Sequence, residues 1–295
     1  MIKQGTLYLC PTPIGNLEDI TLRALRILKE VDLIAAEDTR VTIKLLNHFE
    51  IKTPLTSYHE HNKRTQGPNL ISFLQEGENI ALVTDAGTPG LSDPGEDLVK
   101  DAAKSGIKVV PLPGAAAAIC ALVASGLSTE RFVFEGFLPK KARDRKQRLA
   151  ELITEQRTLI FYEAPHRMIK TLKALQNTLG DRRVVIAREM TKIHEEFIRG
   201  TIKEVMERFN CEPPRGEMVI VVEGANSEQK SSQVWENGVI EHELSRRDLI
   251  NKLQSIMQKK MTEGLTNKQA LKKAAVELGL SRNQAYELLL RGKSR

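Results

Sequence analysis

Short apolar runs alternate along this chain with stretches in which apolar residues return every three or four positions; the first pattern signals strands and the second helices. Apolar runs predict strands at Thr6–Cys10, Val31–Ala36, Pro54–Tyr58, Ile80–Val83 and Ile107–Leu112. Helical spacing falls between them: Leu17–Lys29, a stretch from Arg40 through Leu46, Leu70–Gln75 with Gly77 as its stop, and Ala115–Ala124 closed by Gly126. Such alternation predicts a mostly parallel sheet covered by helices. The pattern then restarts. Strands are predicted at Arg131–Gly136, Thr158–Tyr162, Val184–Ala187 and Glu217–Val222, and helices at Leu149–Ile153, from the EAPHR stretch to Leu179, and at Glu204–Phe209. The EEFIRGT stretch adds an antiparallel signal to this half. The fold class is α/β, with two α/β domains over 1–126 and 127–225. A polar aperiodic linker follows over 226–243, then a small all-helical domain over 244–295. In that last domain AAVELGLSRNQAYELL has helix-turn-helix spacing: Ala270–Leu278, a turn at Gly279–Ser281, and Asn283–Leu290 with Ser281 as N-cap.

Charge changes the picture more than composition does. The net charge is +6, but residues 244–295 carry 12 Lys/Arg against 4 Asp/Glu, which leaves the rest near −2. A second basic island, PKKARDRKQR at Pro139–Arg148, reads as a loop with six basic residues and one acid. Two separate islands point to a polyanion such as nucleic acid. The three cysteines, Cys10, Cys120 and Cys211, are too widely separated for a metal cluster or a disulfide framework, which predicts a reducing compartment. Met1–Thr6 is polar and no apolar run approaches the ~20 residues of a membrane span, so a cytoplasmic protein without a membrane is expected.

The candidate chemistry sits at strand ends. VTDAGTPGLSDPG, Val83–Gly95, reads as a buried strand that stops in a tight turn with Asp85 at its carboxyl edge, where ligands bind in open α/β sheets. PTPIGN and LPGAAAA are two further strand-end loops of small residues. Neither a P-loop nor a G-x-G-x-x-G follows a strand. Small residues at several strand ends fit a flat organic ligand pressed against backbone, and Asp85 favours a cationic or amine-bearing one. The alternative for each small residue is close packing of helix on strand. His59 and His61 in YHEHN have i, i+2 spacing and no further ligands, so no metal site is expected.

In order, PTPIGNLEDI, AAEDTR, VTDAGTPGLSDPG, PLPGAAAA, EGFLPKK, FYEAPHR, AREMTKIHEE and GEMVIVVEG resemble the tetrapyrrole-methylase superfamily, and within it the ribosomal small-subunit RNA methyltransferase I branch. The likeness spans about residues 5–225, and the C-terminal hairpin is similar to that branch's extra domain. Ala116 departs from the wider family, many of whose members carry Ser there. The resemblance implies S-adenosylmethionine in a cleft between the two α/β domains, held by Pro13, Gly15, Asp85, Gly87, Thr88, Gly114, Ala115, Ala116, Tyr162 and Ala187. It implies 2′-O-methylation of a cytidine in 16S ribosomal RNA or the small subunit, and a homodimer. A ribose hydroxyl is a poor acid, so the reaction needs a proton acceptor and charge stabilisation at the same crevice. Strand-end candidates are Glu37, Asp38 and Arg40, then Glu163, His166 and Arg167, then Arg188, Glu189, Lys192 and Glu195, a carboxylate or His166 taking the proton while Arg167, Arg188 or Lys192 holds a phosphate. Arg40, Lys140, Lys141, Arg143 and Arg145 are candidate RNA contacts. Two other readings stay open: a small-molecule methylase of the same fold acting on a tetrapyrrole, and a ligand-sensing, nucleic-acid-binding regulator that uses the C-terminal hairpin.

Overall fold

The computed structural model describes residues 4–225, 246–262, 265–277 and 285. Strands β1 (Thr6–Leu9), β2 (Leu33–Ala36), β3 (Leu55–Ser57), β4 (Ile80–Val83) and β5 (Lys108–Pro111) form one parallel sheet in the order β3-β2-β4-β1-β5. Helices α1 (Leu22–Glu30), α2 (Thr39–His48), α3 (Lys63–Glu76), α4 (Gly95–Lys104) and α5 (Ala117–Ser125) alternate with them. All four residues of β4 are buried, as a central parallel strand requires. Its side chains alternate faces. Ala81 and Val83 meet Ala24, Ile27, Leu28 and Leu46 of α1 and α2, while Ile80 and Leu82 meet Leu70, Leu74, Leu98 and Ala102 of α3 and α4. The crossover from β1 thus runs over one face and that from β4 over the other. A crevice opens where they part, at the carboxyl ends of these two adjacent strands.

The second sheet contains β6 (Phe132–Phe137), β7 (Thr158–Glu163), β8 (Arg183–Arg188), β9 (Glu196–Thr201) and β10 (Met218–Val222) in the order β6-β7-β10-β8-β9. Only β6 and β7 run parallel, and the other pairings are antiparallel. One face packs under α6 (Ala142–Glu151), α7 (Pro165–Leu179) and α8 (Ile202–Cys211), which bury Leu149, Leu172 and Phe209 against Phe161, Ile186 and Ile220. The other face, Ile160, Val185, Ala187, Val219 and Val221, is covered by Ala118, Ala121 and Leu122 of α5. The helix that ends the segment 1–126 therefore packs on the second sheet. Its small residues allow close approach, and Arg199 of β9 fastens its end by donating to the carbonyls of Ala124 at 2.6 Å and Ser125 at 3.3 Å. Residues 1–226 form one compact unit that holds both sheets.

Four elements differ from the sequence reading, the first being helix α4, which it left out between β4 and β5. The basic stretch read as a loop is largely helix α6, whose only buried residues are Arg145 and Leu149. Helix α3 starts at Lys63 and runs through Gly67 and Pro68, with Gly67 against the Tyr58 ring. The helix expected from Leu17 divides into a 3-10 turn at Leu17–Asp19, capped by Asn16, and α1, capped by Thr21. In the second unit, α9 (Arg246–Thr262) and α10 (Asn267–Glu277) pack Leu253 and Met257 against Ala270, Leu271 and Ala274. The linker at 226–243 lies outside the described residues, as does the second helix of the expected helix-turn-helix apart from Ala285. Among the described residues, no helix is long and apolar enough to cross a membrane.

Candidate functional site

Three loops meet at the crevice: residues 10–16 after β1, 84–95 after β4, and 112–116 after β5. Thr12 and Gly87 exchange backbone hydrogen bonds of 3.0 Å in both directions. The Thr12 hydroxyl donates to the Thr84 carbonyl at 3.0 Å, and the Thr88 hydroxyl donates to the Ala115 carbonyl at 2.9 Å. Gly87 has φ +85°, a conformation that favours glycine. A Cβ on Gly114 would lie 2.5 Å from the Pro11 Cβ, so these two loops touch through the missing side chain. The Asp93 carboxylate organises the central loop, accepting the N–H groups of Gly90 at 2.8 Å, Leu91 at 2.9 Å and Gly95 at 2.7 Å.

These loops border a cleft of about 410 Å³ whose opposite wall is the second sheet. One part of its lining is acidic, with Glu37, Asp85 and Asp93; another is apolar, with Ile14, Met190, Met218 and Val219. Tyr162 and Phe137 also line it, with ring centroids 5.6 Å apart and edge-on. Burial pushes the Glu37 carboxyl up. The Asp85 N–H, 3.5 Å away, pulls it back, and the charges of Asp85, Asp93 and Asp38 push it further. The Asp85 carboxyl is raised by partial desolvation, opposed by the Asp38 N–H that it accepts at 3.0 Å.

Of the residues expected to hold a cofactor, Asp85, Gly87, Thr88, Ala116 and Tyr162 line this cleft. Pro13, Gly15, Gly114 and Ala115 belong to its loops without lining it. Ala187 does not line the cleft: its side chain is 1% exposed and packs under α5, because inward residues of β8 face that helix. The sequence reading passed over Ile14, Leu91, Phe137, Met190 and the start of β10. That last omission has a topological cause. β10 runs antiparallel to its neighbours, so its amino end, at Met218, lies beside the carboxyl ends of β7 and β8 at Glu163 and Arg188.

The catalytic candidates divide. Glu163 borders the cleft, but its side chain is wholly buried and its oxygens accept the Ala164 N–H at 2.9 Å and the Thr171 hydroxyl at 2.5 Å. Arg167 pairs with the same carboxylate at 3.2 Å and donates to the Leu138 carbonyl at 2.7 Å. These contacts brace the β7–α7 junction and occupy both oxygens of Glu163, against the expectation that Glu163 and Arg167 face the substrate. His166 stands exposed in the first turn of α7 and does not line the cleft. Arg188 reaches Glu196 at 3.5 Å. Glu189, in the left-handed region at φ +50°, accepts the Glu217 N–H at 2.7 Å and the Lys192 ammonium at 3.1 Å. These two contacts, the N–H first, hold its carboxyl below the usual range. Lys192 also reaches Glu217 at 3.2 Å, and it packs so close to Gly15 that a Cβ there would lie 2.5 Å from its Cγ. Glu217 lines the cleft, so this turn forms part of its rim.

Among the RNA candidates, Lys140, Lys141 and Arg143 are exposed at the start of α6, and Arg40 is exposed while paired to Asp38. Arg145 is 6% exposed and donates to the carbonyls of Pro139 and Lys140, so it cannot contact RNA; it holds the turn before α6. Cys10 is buried, which pushes its thiol up to about 12. Among the described residues no group of His, Cys, Asp and Glu is placed to hold a metal ion.

Loops of small residues at a parallel sheet's switch point, facing a second mixed sheet across a cleft, define a class of enzyme, and the chain belongs to it: residues 6–206 match the family of tetrapyrrole (corrin/porphyrin) methylases. Within that family its relatives set the branch. It is 49% identical over 289 residues to ribosomal RNA small subunit methyltransferase I of Bacillus subtilis, covering 96% of this chain and 93% of the relative. It is 50% identical over 287 residues to the protein of that name in Synechocystis, covering 97% and 98%. The fold is shared with the solved structure of uroporphyrin-III C-methyltransferase from Thermus thermophilus, at TM-score 0.54, 20% identity, and coverage of 75% of this chain and 94% of that one. It is shared also with a cobalt precorrin-4 methyltransferase, at TM-score 0.56, 18% identity, and coverage of 74% and 94%.

Proposed function

We propose that this protein transfers a methyl group from S-adenosylmethionine to the ribose 2′-hydroxyl of a cytidine in 16S ribosomal RNA of the small subunit. The observation that carries the reading is the cleft's composition, acidic at Glu37, Asp85 and Asp93 and apolar around Ile14, Met190 and Val219. That pairing fits a ligand with cationic groups and a flat apolar ring, and its volume falls in the range of small-molecule sites. When bound, S-adenosylmethionine supplies an electrophilic methyl group on a sulfonium centre. Asp85, Gly87, Thr88 and Ala116 hold its cationic part and Tyr162 its ring, with the loops behind them fixed by the bonds around Thr12 and Thr88. Protein groups then need to orient the hydroxyl and accept its proton. Glu163 is sealed in its brace and His166 stands outside the cleft; of the other cleft carboxylates Asp93 is committed to three loop N–H groups, Glu217 to Lys192 and Asp85 to the cation, so the acceptor is Glu37. The deciding experiment is mass mapping of methylated nucleotides in small-subunit RNA from cells with and without the protein; an unchanged map refutes the reading.

A cation favours the ionised form of Glu37 and Asp85, so it binds with proton release. Affinity for S-adenosylmethionine should fall as pH drops through their raised range. Calorimetry in two buffers of different ionisation heat measures the released protons, and equal apparent heats count against this account. The ligand-free protein behaves oppositely. Its folded state holds these protons more tightly than the unfolded chain does, so the pair's contribution to stability rises as pH falls through the raised range and is lost as pH rises.

The 1–226 unit contains every residue lining the cleft, whereas 244–295 carries 12 of the 44 basic residues against 4 acids. Deletion after Gln233 should leave S-adenosylmethionine affinity unchanged and weaken RNA methylation about tenfold at physiological salt, through lost phosphate contacts. Equal methylation by the truncated chain removes that role. A homodimer is supported by the outer side of α5, which exposes Ile119 at 44% and Val123 at 67%. Acting on small-subunit RNA, the proposed enzyme would work in the cytoplasm.

A further inference from the structure

The turn joining β8 to β9 presents its most apolar side chain to solvent. Ile193 is 97% exposed, more than any other large hydrophobic residue among those described. The turn beneath it is tightly built. Glu189 and Thr191 both adopt the left-handed region, at φ +50° and +67°, without being glycine. Such strain persists only where surrounding contacts impose it, and it concentrates at functional sites. The contacts are present: the Glu195 carboxylate accepts the Thr191 N–H at 2.6 Å, the Lys192 N–H bonds to the Glu189 carbonyl at 3.0 Å, and the Glu195 N–H bonds to the Lys192 carbonyl at 3.1 Å. Lys192 is held between Glu189 and Glu217. The same turn touches the cleft, since Met190 lines it and Lys192 pairs with the cleft-lining Glu217. The isoleucine is therefore carried on a braced support at the cleft's rim.

We infer that Ile193 is a wedge that enters the base stack of the RNA next to the target nucleotide and holds the gap left when that nucleotide moves into the cleft. This rests on the proposed RNA methylation. The methyl donor of the proposed reaction sits inside the cleft, between its loops and the second sheet, so the target ribose must swing out of its stack to reach it. Rigid apolar side chains inserted between bases stabilise such openings. A β-branched residue on a braced turn keeps its direction with few rotamers to lose. Aromatic residues make up 4% of the chain, which leaves little alternative stacking surface.

The test uses the full-length protein and small subunits purified from cells lacking it. Ile193→Ser should lower single-turnover methyl transfer about tenfold or more, as expected when the cost of unstacking is no longer offset. Affinity for S-adenosylmethionine and the thermal midpoint should stay unchanged, because the side chain packs on little of its own protein. Ile193→Phe should restore most of the rate. A 2-aminopurine beside the mapped nucleotide, in an RNA fragment carrying that site, should brighten with the parent protein and stay dim with Ile193→Ser. If Ile193→Ser transfers methyl groups at the parent rate, or if its loss of rate accompanies dissociation of a dimer in light scattering, the wedge is overturned. If the parent protein itself leaves small subunits unmethylated, the proposed function fails instead.

Discussion

Replacing Glu163 with alanine should cost about 3–5 kcal/mol of folding stability, the range seen when one partner of a buried ion pair is removed. Its side chain is wholly buried, and Arg167, 17% exposed, loses its carboxylate partner at 3.2 Å. The Thr171 hydroxyl and the Ala164 N–H lose acceptors at the same point, where β7 turns into α7. Glu163→Gln keeps an acceptor for one of those donors and the shape of the side chain, so its cost should be about half as large. Urea unfolding of both variants measures this. The comparison also decides between a brace and a catalyst. A brace loses stability in both variants, while the fraction still folded turns over normally. A Glu163→Gln protein with parent stability and a hundredfold loss of turnover would return the residue to the reaction.

The sequence made the strands and their carboxyl-end loops legible because each rests on a local signal. Ile80–Val83 is an unbroken apolar run, and Asp85, Gly87 and Pro89 follow at once. Partnership between distant segments was not legible. The alanine-rich helix at Ala117–Ser125 is apolar on every side, so no stripe in its sequence states which sheet it covers, and it covers the later one. Charge hid a second feature. In Ala142–Glu151 two buried positions are outnumbered by solvated ones, and one of the two is Arg145, which serves the carbonyls of Pro139 and Lys140. Within the site, the sequence indicated the acidic strand ends but could not separate roles among them. Glu37 and Glu163 both end an apolar strand; one lines the cleft with its carboxyl pushed up, and the other is absorbed by Thr171 and Arg167, eight and four residues further on.

Asp93→Ala should have the largest effect on the cleft, lowering S-adenosylmethionine affinity about a hundredfold, which corresponds to roughly 3 kcal/mol. The carboxylate draws together the N–H groups of Gly90, Leu91 and Gly95, and so closes the loop back on the start of α4. Each bond to an ionised acceptor contributes about 1.5–3 kcal/mol where water is excluded and less where it competes, so three partly solvated bonds account for that figure. The loop they hold is not one the chain adopts by default. Ser92 lies at φ +67°, and Gly90 at φ +87°. Without Asp93 the segment has no internal reason to keep that path, and Leu91 and Ser92 leave the cleft lining. The cores on both faces of β4 do not depend on it, so global stability should change far less than affinity. Asp93→Asn retains an acceptor oxygen and offers an amide where the second oxygen stood, so it should fall between parent and alanine at about a tenfold loss. Calorimetry with S-adenosylmethionine, together with amide exchange across residues 86–95, reads both effects. Parent affinity in Asp93→Ala alongside fast exchange would mean that the ligand itself folds this loop, and that the prearranged cleft is not the source of its binding energy.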